Sequence, residues 1–361
     1  MLIGIEASRA NRSQKTGVEW YSYLLIQEMK ALPESERHSW LLYSNHPLAK
    51  GLEKGSNNWH ERRLVWPPKY LWTQARLSWE MLNRAPEVLF VPAHVLPRFS
   101  PKRSVVTIHD IGFHRFPELY PKRQVSYHEW ATKDIVKHAA KIITVSEFSK
   151  QEIVECHGAD PENIFVTHLG LNHDKYIPGE KNTDRPYALF VGRLETKKNI
   201  VNLIHGFNTW KASVDSPLEL ILAGMPGTGF NEIQKAIDGS AVKNYIHLPG
   251  YISEEHKIKL LQGASMYIQP SYYEGFGLPP LEAMACGTPV IASLGNSMLE
   301  VLGEENALFF APDDQDALMK GFDMMNDKKT REELIHKSLT RAKDFTWKKT
   351  AEQTLNILTT W

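Results

Sequence analysis

The second half of the chain alternates short apolar runs with amphipathic helical patterns, and no other feature of the sequence restricts the fold as much. The apolar runs do not alternate strictly with polar residues, which is typical of strands buried on both faces of a parallel sheet. Strands that alternate with helices indicate a doubly wound α/β domain. The runs are YALFVG (187–192), LELILAG (218–224), YIHLPG (245–250), SMYIQP (265–270), PVIAS (289–293) and ALFFAP (307–312).

The first half shows the same kind of pattern less regularly. Its apolar runs are LIGIEAS (2–8), WLLYSN (40–45), VLFVPA (88–93), SVVTIHD (104–110) and KIITVS (141–146). Since 361 residues is about twice the usual length of one domain, we predict two Rossmann-like, doubly wound parallel-sheet domains that face each other across a cleft. We place them at 1–175 and 176–345, connected through YIPGEKNTDRPY (176–187). Residues 346–361 are expected to form a helix that packs back toward the first domain.

Charge, cysteine content and hydropathy exclude several classes of protein. Lys and Arg number 42, Asp and Glu also number 42, and no block of like charge occurs, so we expect no nucleic-acid partner. The two cysteines provide neither a disulfide framework nor a CxxC pair. No signal-peptide pattern opens the sequence, and no uncharged apolar run approaches the ~18 residues of a membrane span. We therefore predict a cytoplasmic protein.

An aromatic, basic stretch suggests a second possibility, that the protein contacts the inner face of a membrane peripherally. The stretch is LVWPPKYLWTQARLSWEML (64–82). Core and loop packing is the simplest explanation of its tryptophans. A platform for an acceptor or a membrane-facing patch is the alternative.

The segment SYYEGFGLPPLEAMACGTPVIAS (271–293) follows a predicted strand and has the composition of a ligand-binding loop. Its GFG glycines allow close backbone approach, and its two prolines suit the first turn of a helix, whose N-terminus attracts anions. Glu274 is expected on the loop and Glu282 in the first helical turn, so both carboxylates can border one ligand. For either glutamate alone, a purely structural role is the alternative.

A second strand-to-helix junction is FVGRLETKKNI (190–200). Arg193 and Lys198 lie on either side of its turn. Two cations beside a helix N-terminus suit a diphosphate leaving group, which gains negative charge as a glycosidic bond breaks. Salt bridges within the protein are the alternative role for this pair.

No metal site is predicted. PDDQD (312–316) contains a D-x-D pattern of the kind that binds metal in some enzymes, but it precedes a helix, where acidic residues stabilise the N-terminus. The 15 histidines show no ligand spacing, and His109 with His114 is not a metal pair on spacing alone.

Together, GRLETKKN and EGFGLPPLEAMACGTPV resemble the retaining GT-B glycosyltransferases of family 4, whose layout nearly the whole chain follows. The resemblance implies that Arg193 and Lys198 bind the donor diphosphate, that Glu274 contacts sugar hydroxyls, and that Glu282 holds the ribose. It also implies backbone contacts with the donor. Those at the sugar and phosphates involve Gly275, Phe276, Gly277 and Leu278, and those at the nucleobase involve Tyr251 and Ile252, which follow Gly250.

In the first domain, QKTGVEWYSYLL (14–25) is similar to the glycine loop of the family, which would place Gly17 and Val18 near the phosphates. A plain turn before a helix is the alternative. His109, in TIHDIGF (107–113), resembles the histidine that the family places near the donor sugar, and capping of the next turn is the alternative. Ser146 is interpreted as a helix cap.

The resemblance implies a metal-independent, retaining transfer of a hexose from a nucleoside-diphosphate sugar to a glycan or lipid-linked acceptor, in cell-surface polysaccharide synthesis and without a cofactor. Mannose from GDP-mannose is the first expectation, and a UDP-sugar is the alternative. One rival is a glycoside hydrolase using Glu274 and Glu282, but hydrolysis needs no diphosphate site, so Arg193 and Lys198 argue against it. A non-catalytic nucleotide-sugar-binding subunit, which could keep the same pocket, is the other. A nicotinamide enzyme does not fit the residues, because LIGIEASRAN supplies no GxGxxG turn. The oligomeric state is not predicted.

Overall fold

The computed structural model describes residues 1–68, 70–180 and 185–361, so part of the predicted connection at 176–187 lies outside the described residues. The chain divides into two compact units. Unit 1 comprises Met1–Arg115, Pro121–Gly170 and Trp347–Trp361, and unit 2 comprises Phe116–Tyr120 and Leu171–Thr346.

Unit 1 contains a seven-stranded parallel sheet in the order β3-β2-β1-β4-β5-β6-β7. Its central strands are buried on both faces, which explains their continuous apolar character. The strands are β1 (Leu2–Glu6), β2 (Ser39–Ser44), β3 (Trp59–Arg63), β4 (Val88–Val91), β5 (Ser104–Thr107), β6 (Lys141–Thr144) and β7 (Ile164–Val166). The α-helices in its first two segments are α1 (Gly17–Ala31), α2 (Ser78–Arg84), α3 (Gly112–Arg115), α4 (Lys122–His138) and α5 (Glu147–His157).

The aromatic stretch of unit 1 forms a π-helical segment, Trp72–Leu77, that continues into α2. Leu77 and Met81 are buried, as core packing requires. Tyr70, Leu71, Trp79 and Leu82 are each more than half exposed. The stretch therefore divides into a packed face and an exposed apolar face.

Unit 2 contains a six-stranded parallel sheet in the order β10-β9-β8-β11-β12-β13. The strands are β8 (Tyr187–Val191), β9 (Glu219–Ala223), β10 (Ile246–Gly250), β11 (Met266–Gln269), β12 (Val290–Ser293) and β13 (Leu308–Phe310). The helices are α6 (Ile200–Ser213), α7 (Phe230–Asp238), α8 (Glu254–Gly263), α9 (Leu278–Ala285), α10 (Met298–Leu302), α11 (Gln315–Asn326) and α12 (Lys328–Ala342). Both sheets are parallel. Helices connect all successive strands of unit 2 and most of those in unit 1, where β3 follows β2 and β5 follows β4 without one. The predicted class of two Rossmann-like α/β domains is therefore confirmed.

Aromatic packing between α6 and α11 anchors one face of this second sheet. Phe207, Trp210 and Phe322 are buried, with Trp210 and Phe322 ring centroids 5.2 Å apart. The Trp210 indole N–H donates to Asp323 Oδ1 at 2.7 Å, so its polar atom is satisfied although the ring is buried. This packing holds α6, whose N-terminus follows the turn that carries Arg193 and Lys198.

The last helix, α13 (Trp347–Thr359), belongs to unit 1. Trp347 packs against Tyr21 of α1 with ring centroids 6.2 Å apart, and Thr350 Oγ1 donates to the His168 carbonyl at 2.7 Å. Across the described ranges, none of the helices combines the length and the apolar content that crossing a bilayer requires.

Candidate functional site

The strand order of unit 2 defines where a ligand is expected. From β8 the chain proceeds to β9 and β10 on one side, whereas β11 lies on the other side of β8. At such a switch point the loops after the two central strands diverge and leave a crevice at their carboxyl ends. Arg193 follows β8 and Glu274 follows β11, so both predicted segments lie at this position.

Arg193 is exposed, and among the described residues it has no hydrogen-bond or ion-pair partner. The chain then forms a short turn of 3-10 helix, Thr196–Lys198, and passes through Asn199 with φ 56° before α6 begins. The Asn199 side chain donates to the Pro312 carbonyl at 2.8 Å, which fixes this left-handed residue. A guanidinium beside a helix start with no protein partner is available to an anionic ligand.

Lys198 and Glu274, which the resemblance assigns to different parts of the donor, contact each other. Lys198 Nζ lies 2.5 Å from Glu274 Oε1. The same oxygen accepts from Gln269 Nε2 at 2.6 Å and from Ser271 Oγ at 2.8 Å. All of these contacts use Oε1, so Oε2 has no partner within the part of the chain that the structure describes. The carboxylate is therefore held in one orientation with one oxygen available to a ligand hydroxyl.

The glycine loop ends at the start of α9. Gly277 has φ 86° and precedes Leu278, the first helical residue. Pro279 and Pro280 have no N–H, so the anion-binding donors at this helix start come from Leu278 and the residues before it. Since α9 begins at Leu278, Glu282 is its fifth residue and lies in the second turn, not in the first turn as the sequence predicted.

Glu282 is 7% exposed and forms a bidentate ion pair. Lys257 Nζ of α8 donates to its two oxygens at 2.8 and 2.9 Å. The same ammonium lies 5.0 Å from the centre of the Tyr176 ring. Burial, together with the Glu282 charge, raises the pKa of the Tyr176 hydroxyl far above its usual value. The Glu282 carboxylate is thus oriented by Lys257 and keeps lone pairs for further hydrogen bonds.

At one edge of this site, the backbone segments that follow β8, β9 and β10 lie close together. The Gly192 N–H donates to the Ala223 carbonyl at 3.0 Å, and the Gly224 N–H donates to the Gly250 carbonyl at 2.9 Å. Beyond this turn Tyr251 is 76% exposed, whereas Ile252 is half-buried. The segment predicted to meet the nucleobase therefore presents an exposed aromatic ring.

In unit 1, Gly17 is the first residue of α1, and a Cβ added there would meet no atom within 4 Å. Thr16 and Glu19 form the capping box of this helix, and Glu19 also pairs with Arg9 and Arg12. The Val18 carbonyl accepts from Ser22 Oγ at 2.9 Å. Open space at Gly17 is compatible with a ligand at the helix start and equally with a plain turn.

His109 follows β5 and is held by contacts inside unit 1. Its Nε2 lies 3.3 Å from the Pro92 carbonyl, and its ring meets Tyr21 edge-on at 4.6 Å. Because a carbonyl can only accept, Nε2 carries the proton and Nδ1 is the acceptor. Burial lowers the pKa of His109, so the ring is neutral at neutral pH.

Two residues interpreted as structural are confirmed as helix caps. Ser146 Oγ accepts from the Ser149 N–H at 3.0 Å at the start of α5. Asp314, in the D-x-D pattern, accepts from the Ala317 N–H at 2.9 Å at the start of α11. The neighbouring Asp313 accepts from the Tyr272 hydroxyl at 2.8 Å. The D-x-D pattern therefore serves helix capping and loop packing.

Sequence reasoning missed the partners that orient the two glutamates. Gln269 and Ser271 lie in the same strand-to-loop junction, a few residues before Glu274, and this nearness is a signal that the sequence carries. Lys257 carries no such signal, because a lysine on an amphipathic helix is usually a solvent-exposed charge.

The chain is similar to known glycosyltransferases in sequence and in fold. The family described as Glycosyl transferases group 1 matches residues 174–341, and Glycosyltransferase Family 4 matches residues 16–175. O-antigen chain mannosyltransferase B of Escherichia coli is 32% identical over 293 residues, covering 78% of this chain and 76% of that protein. O-antigen chain mannosyltransferase RfbU of Salmonella typhimurium is 30% identical over 254 residues, covering 70% and 68%. Among solved structures, sucrose-phosphate synthase from Thermosynechococcus elongatus has the same fold, with a TM-score of 0.76, 19% identity and coverage of 99% and 98%.

Proposed function

Because the chain belongs to glycosyltransferase family 4, whose members are retaining and metal-independent transferases, we propose that it transfers mannose from a nucleoside-diphosphate donor to a glycan or lipid-linked acceptor in polysaccharide synthesis. GDP-mannose is the proposed donor. The sugar is supported by relatives that are themselves O-antigen mannosyltransferases. Two features at the switch point of unit 2 carry the proposal: Arg193 has no hydrogen-bond or ion-pair partner among the described residues, and Lys198 contacts Glu274.

In this proposal Arg193 and Lys198 bind the donor diphosphate. The bond between C1 of the sugar and the diphosphate oxygen breaks, and the negative charge on that oxygen grows as the sugar becomes cation-like. The acceptor oxygen bonds C1 on the same face, and its proton passes to the leaving phosphate oxygen. Cations that are already positioned stabilise this growing charge without reorganisation, which is how they lower the barrier.

Glu274 orients the sugar in this scheme. Its Oε1 is occupied by Lys198, Gln269 and Ser271, so a sugar hydroxyl would donate to Oε2. Lys198 then contacts both the carboxylate and the diphosphate, which links the position of the sugar to that of the leaving group. A carboxylate fixed beside the reacting carbon contributes to the rate by positioning the sugar. This contribution is larger when the carboxylate cannot rotate.

Glu282 is proposed to hold the ribose hydroxyls, and the backbone after Gly250 to meet the nucleobase. Lys257 fixes the Glu282 carboxylate before the nucleotide arrives, so little side-chain freedom is lost on binding. The roles of Gly17, Val18 and His109 toward the donor stay predictions from the resemblance.

The ion pairs argue against the hydrolase alternative. Glycoside hydrolysis needs one carboxyl that carries a proton as general acid and a second that is ionised. Glu274 and Glu282 are each paired with a different lysine, Lys198 and Lys257. Release of free sugar from an oligosaccharide without any nucleotide would contradict this assignment.

A thermal-shift panel of GDP, UDP, ADP and their sugar derivatives tests the donor. We expect GDP and GDP-mannose to stabilise the protein selectively, because a ligand at 100 times its dissociation constant adds about 2.7 kcal/mol to stability. Glu282→Gln should reduce the shift, since it weakens the ribose contact. The matched control is Glu305→Gln, which changes an exposed carboxylate of the same unit. A shift with UDP alone would reassign the base, and no shift with any nucleotide would overturn the proposal.

We also propose that the exposed apolar face of the π-helical segment and α2 contacts an anionic membrane surface peripherally. Trp79 and Leu82 are exposed there, and Arg84 ends the helix. Basic residues beside exposed aromatic rings favour the interface of anionic bilayers.

Replacing Trp79 and Leu82 together by serine should therefore reduce sedimentation with phosphatidylglycerol vesicles several-fold. The control is Trp130→Ser, which removes an exposed tryptophan on α4. Equal sedimentation of all three proteins, or none by the unmodified chain, would refute the membrane contact.

A further inference from the structure

Three potential metal ligands from three helices of unit 1 converge outside the proposed site. His114 lies on α3, Glu129 on α4, and His157 ends α5. One ligand atom from each lies within 4.8 Å of the others. His114 Nδ1 is 2.6 Å from Glu129 Oε1, and the His114 and His157 ring centroids are 5.1 Å apart.

The two ring nitrogens of His157 are the main reason to consider this cluster a metal site. Both of its ring nitrogens are buried, and neither has a hydrogen-bond partner among the described residues. A buried polar atom left without a partner costs free energy, so native structures rarely contain a ring with two.

We propose that His114, Glu129 and His157 bind one divalent transition-metal ion, of which Zn²⁺ is the expected member. Two imidazoles and one carboxylate are ligands that Zn²⁺ takes at about 2.0–2.2 Å, with water completing a tetrahedron. That geometry places ligand atoms roughly 3.3 Å apart, so small side-chain rotations from the present spacing suffice. The ion satisfies one His157 nitrogen and replaces the direct His114–Glu129 contact.

The surrounding charges are balanced rather than uniformly repulsive. Arg115 is already neutralised by Glu152, with contacts of 2.5 and 2.6 Å, and Glu155 lies 3.6 Å from the same guanidinium. Lys133 also acts on His157 electrostatically, and the Glu129 carboxylate opposes it. The carboxylates of Glu129 and Glu152 therefore offset the cations beside the cluster.

The proposed role of the ion is structural. It would tie α3, which follows the segment carrying His109, to α4 and α5. The transfer chemistry proposed above uses none of these three residues, so loss of the ion should lower stability and leave the donor site of unit 2 intact. The three ligands are widely separated in sequence, which is why histidine spacing gave no indication of them.

The test uses the full chain after removal of metals with EDTA and dialysis, titrated with ZnCl₂ alone by calorimetry. We expect about one ion per chain and a rise in melting temperature that EDTA reverses. His157→Ala should weaken Zn²⁺ binding at least tenfold and abolish the shift. Glu129→Gln, which keeps the shape of the side chain, provides a second variant should His157→Ala fail to fold.

The matched control is His138→Ala, which removes a half-exposed histidine of α4. It should bind Zn²⁺ like the unmodified chain. Absorption of bound Co²⁺ in the visible range would report the tetrahedral geometry, and His157→Ala should remove it. Zn²⁺ binding that is unchanged in both His157→Ala and Glu129→Gln, or no binding by the unmodified chain, would overturn the proposal.

Discussion

Replacing Arg193 by alanine is expected to lower turnover at saturating donor by about 10²–10³-fold. This is the usual loss when one positioned donor to a developing oxyanion is removed. Arg193 has no hydrogen-bond or ion-pair partner in the described part of the chain, so its removal leaves no partner unsatisfied. The melting temperature should therefore remain close to that of the unmodified protein. Steady-state transfer from GDP-mannose, followed by GDP release, measures the effect.

Two comparison variants define what the Arg193 result means. Arg193→Lys should recover part of the activity, because it restores the charge but not the planar fork that binds phosphate through two donors. Arg185→Ala removes an exposed arginine paired with Glu219 in the same unit and should leave turnover unchanged. Near-normal turnover by Arg193→Ala would remove Arg193 from the mechanism while leaving the fold assignment intact.

A Lys198→Ala variant is a less specific test of how cations stabilise the diphosphate. The substitution removes a proposed phosphate ligand and also removes the cation that pairs with Glu274, so an activity loss would combine two causes. For groups that act together, single losses do not add. Arg193 is therefore the more informative position.

Gly224→Ala is expected to destabilise unit 2 by about 4 kcal/mol or more, a loss reserved for severe steric conflicts. Gly224 has φ 151°, and a Cβ built there would lie 1.7 Å from the Gly192 carbonyl oxygen. That oxygen belongs to backbone at the carboxyl end of β8, so no side-chain rotation can relieve the overlap. We expect a much lower melting temperature, or accumulation as insoluble protein.

Gly250→Ala separates backbone strain from the steric clash. Gly250 also has a positive φ, 73°, but no atom lies within 4 Å of an added Cβ. Only the left-handed backbone is then penalised, by roughly 1–2 kcal/mol. If Gly224→Ala melts no lower than Gly250→Ala, the close approach of β8 and β9 that we describe is wrong.

The fold was predictable because burial on both faces of a parallel sheet leaves a direct trace in the sequence. Strands such as β4 and β8 are uninterrupted apolar runs for this reason. The exceptions follow the same logic. Strand β3 reads WHERR because it is an edge strand with mostly exposed side chains, and β7, at the opposite edge, is three residues long. These two edge strands of unit 1 therefore give a weaker apolar signal than its central strands.

The site was only partly predictable, since its organisation depends on contacts between distant segments. Loop glycines and helix starts mark where Arg193 and Glu274 lie. That Lys198 contacts Glu274, and that Lys257 orients Glu282, follows from how β8, β11 and α8 pack. The three residues of the proposed metal site illustrate the same limit, because no local pattern connects helices α3, α4 and α5.

The position of α13 in unit 1 also has a consequence for synthesis on the ribosome. The helix completes a unit whose other segments end at Gly170, and roughly 180 residues of unit 2 are made in between. At a translation rate of about 5–20 residues per second, roughly 10–35 s pass before Trp347, which packs against Tyr21 of α1, is synthesised. During that time the nascent chain presents an uncovered apolar helix face. Unit 2 can therefore finish folding first, although its sequence comes later.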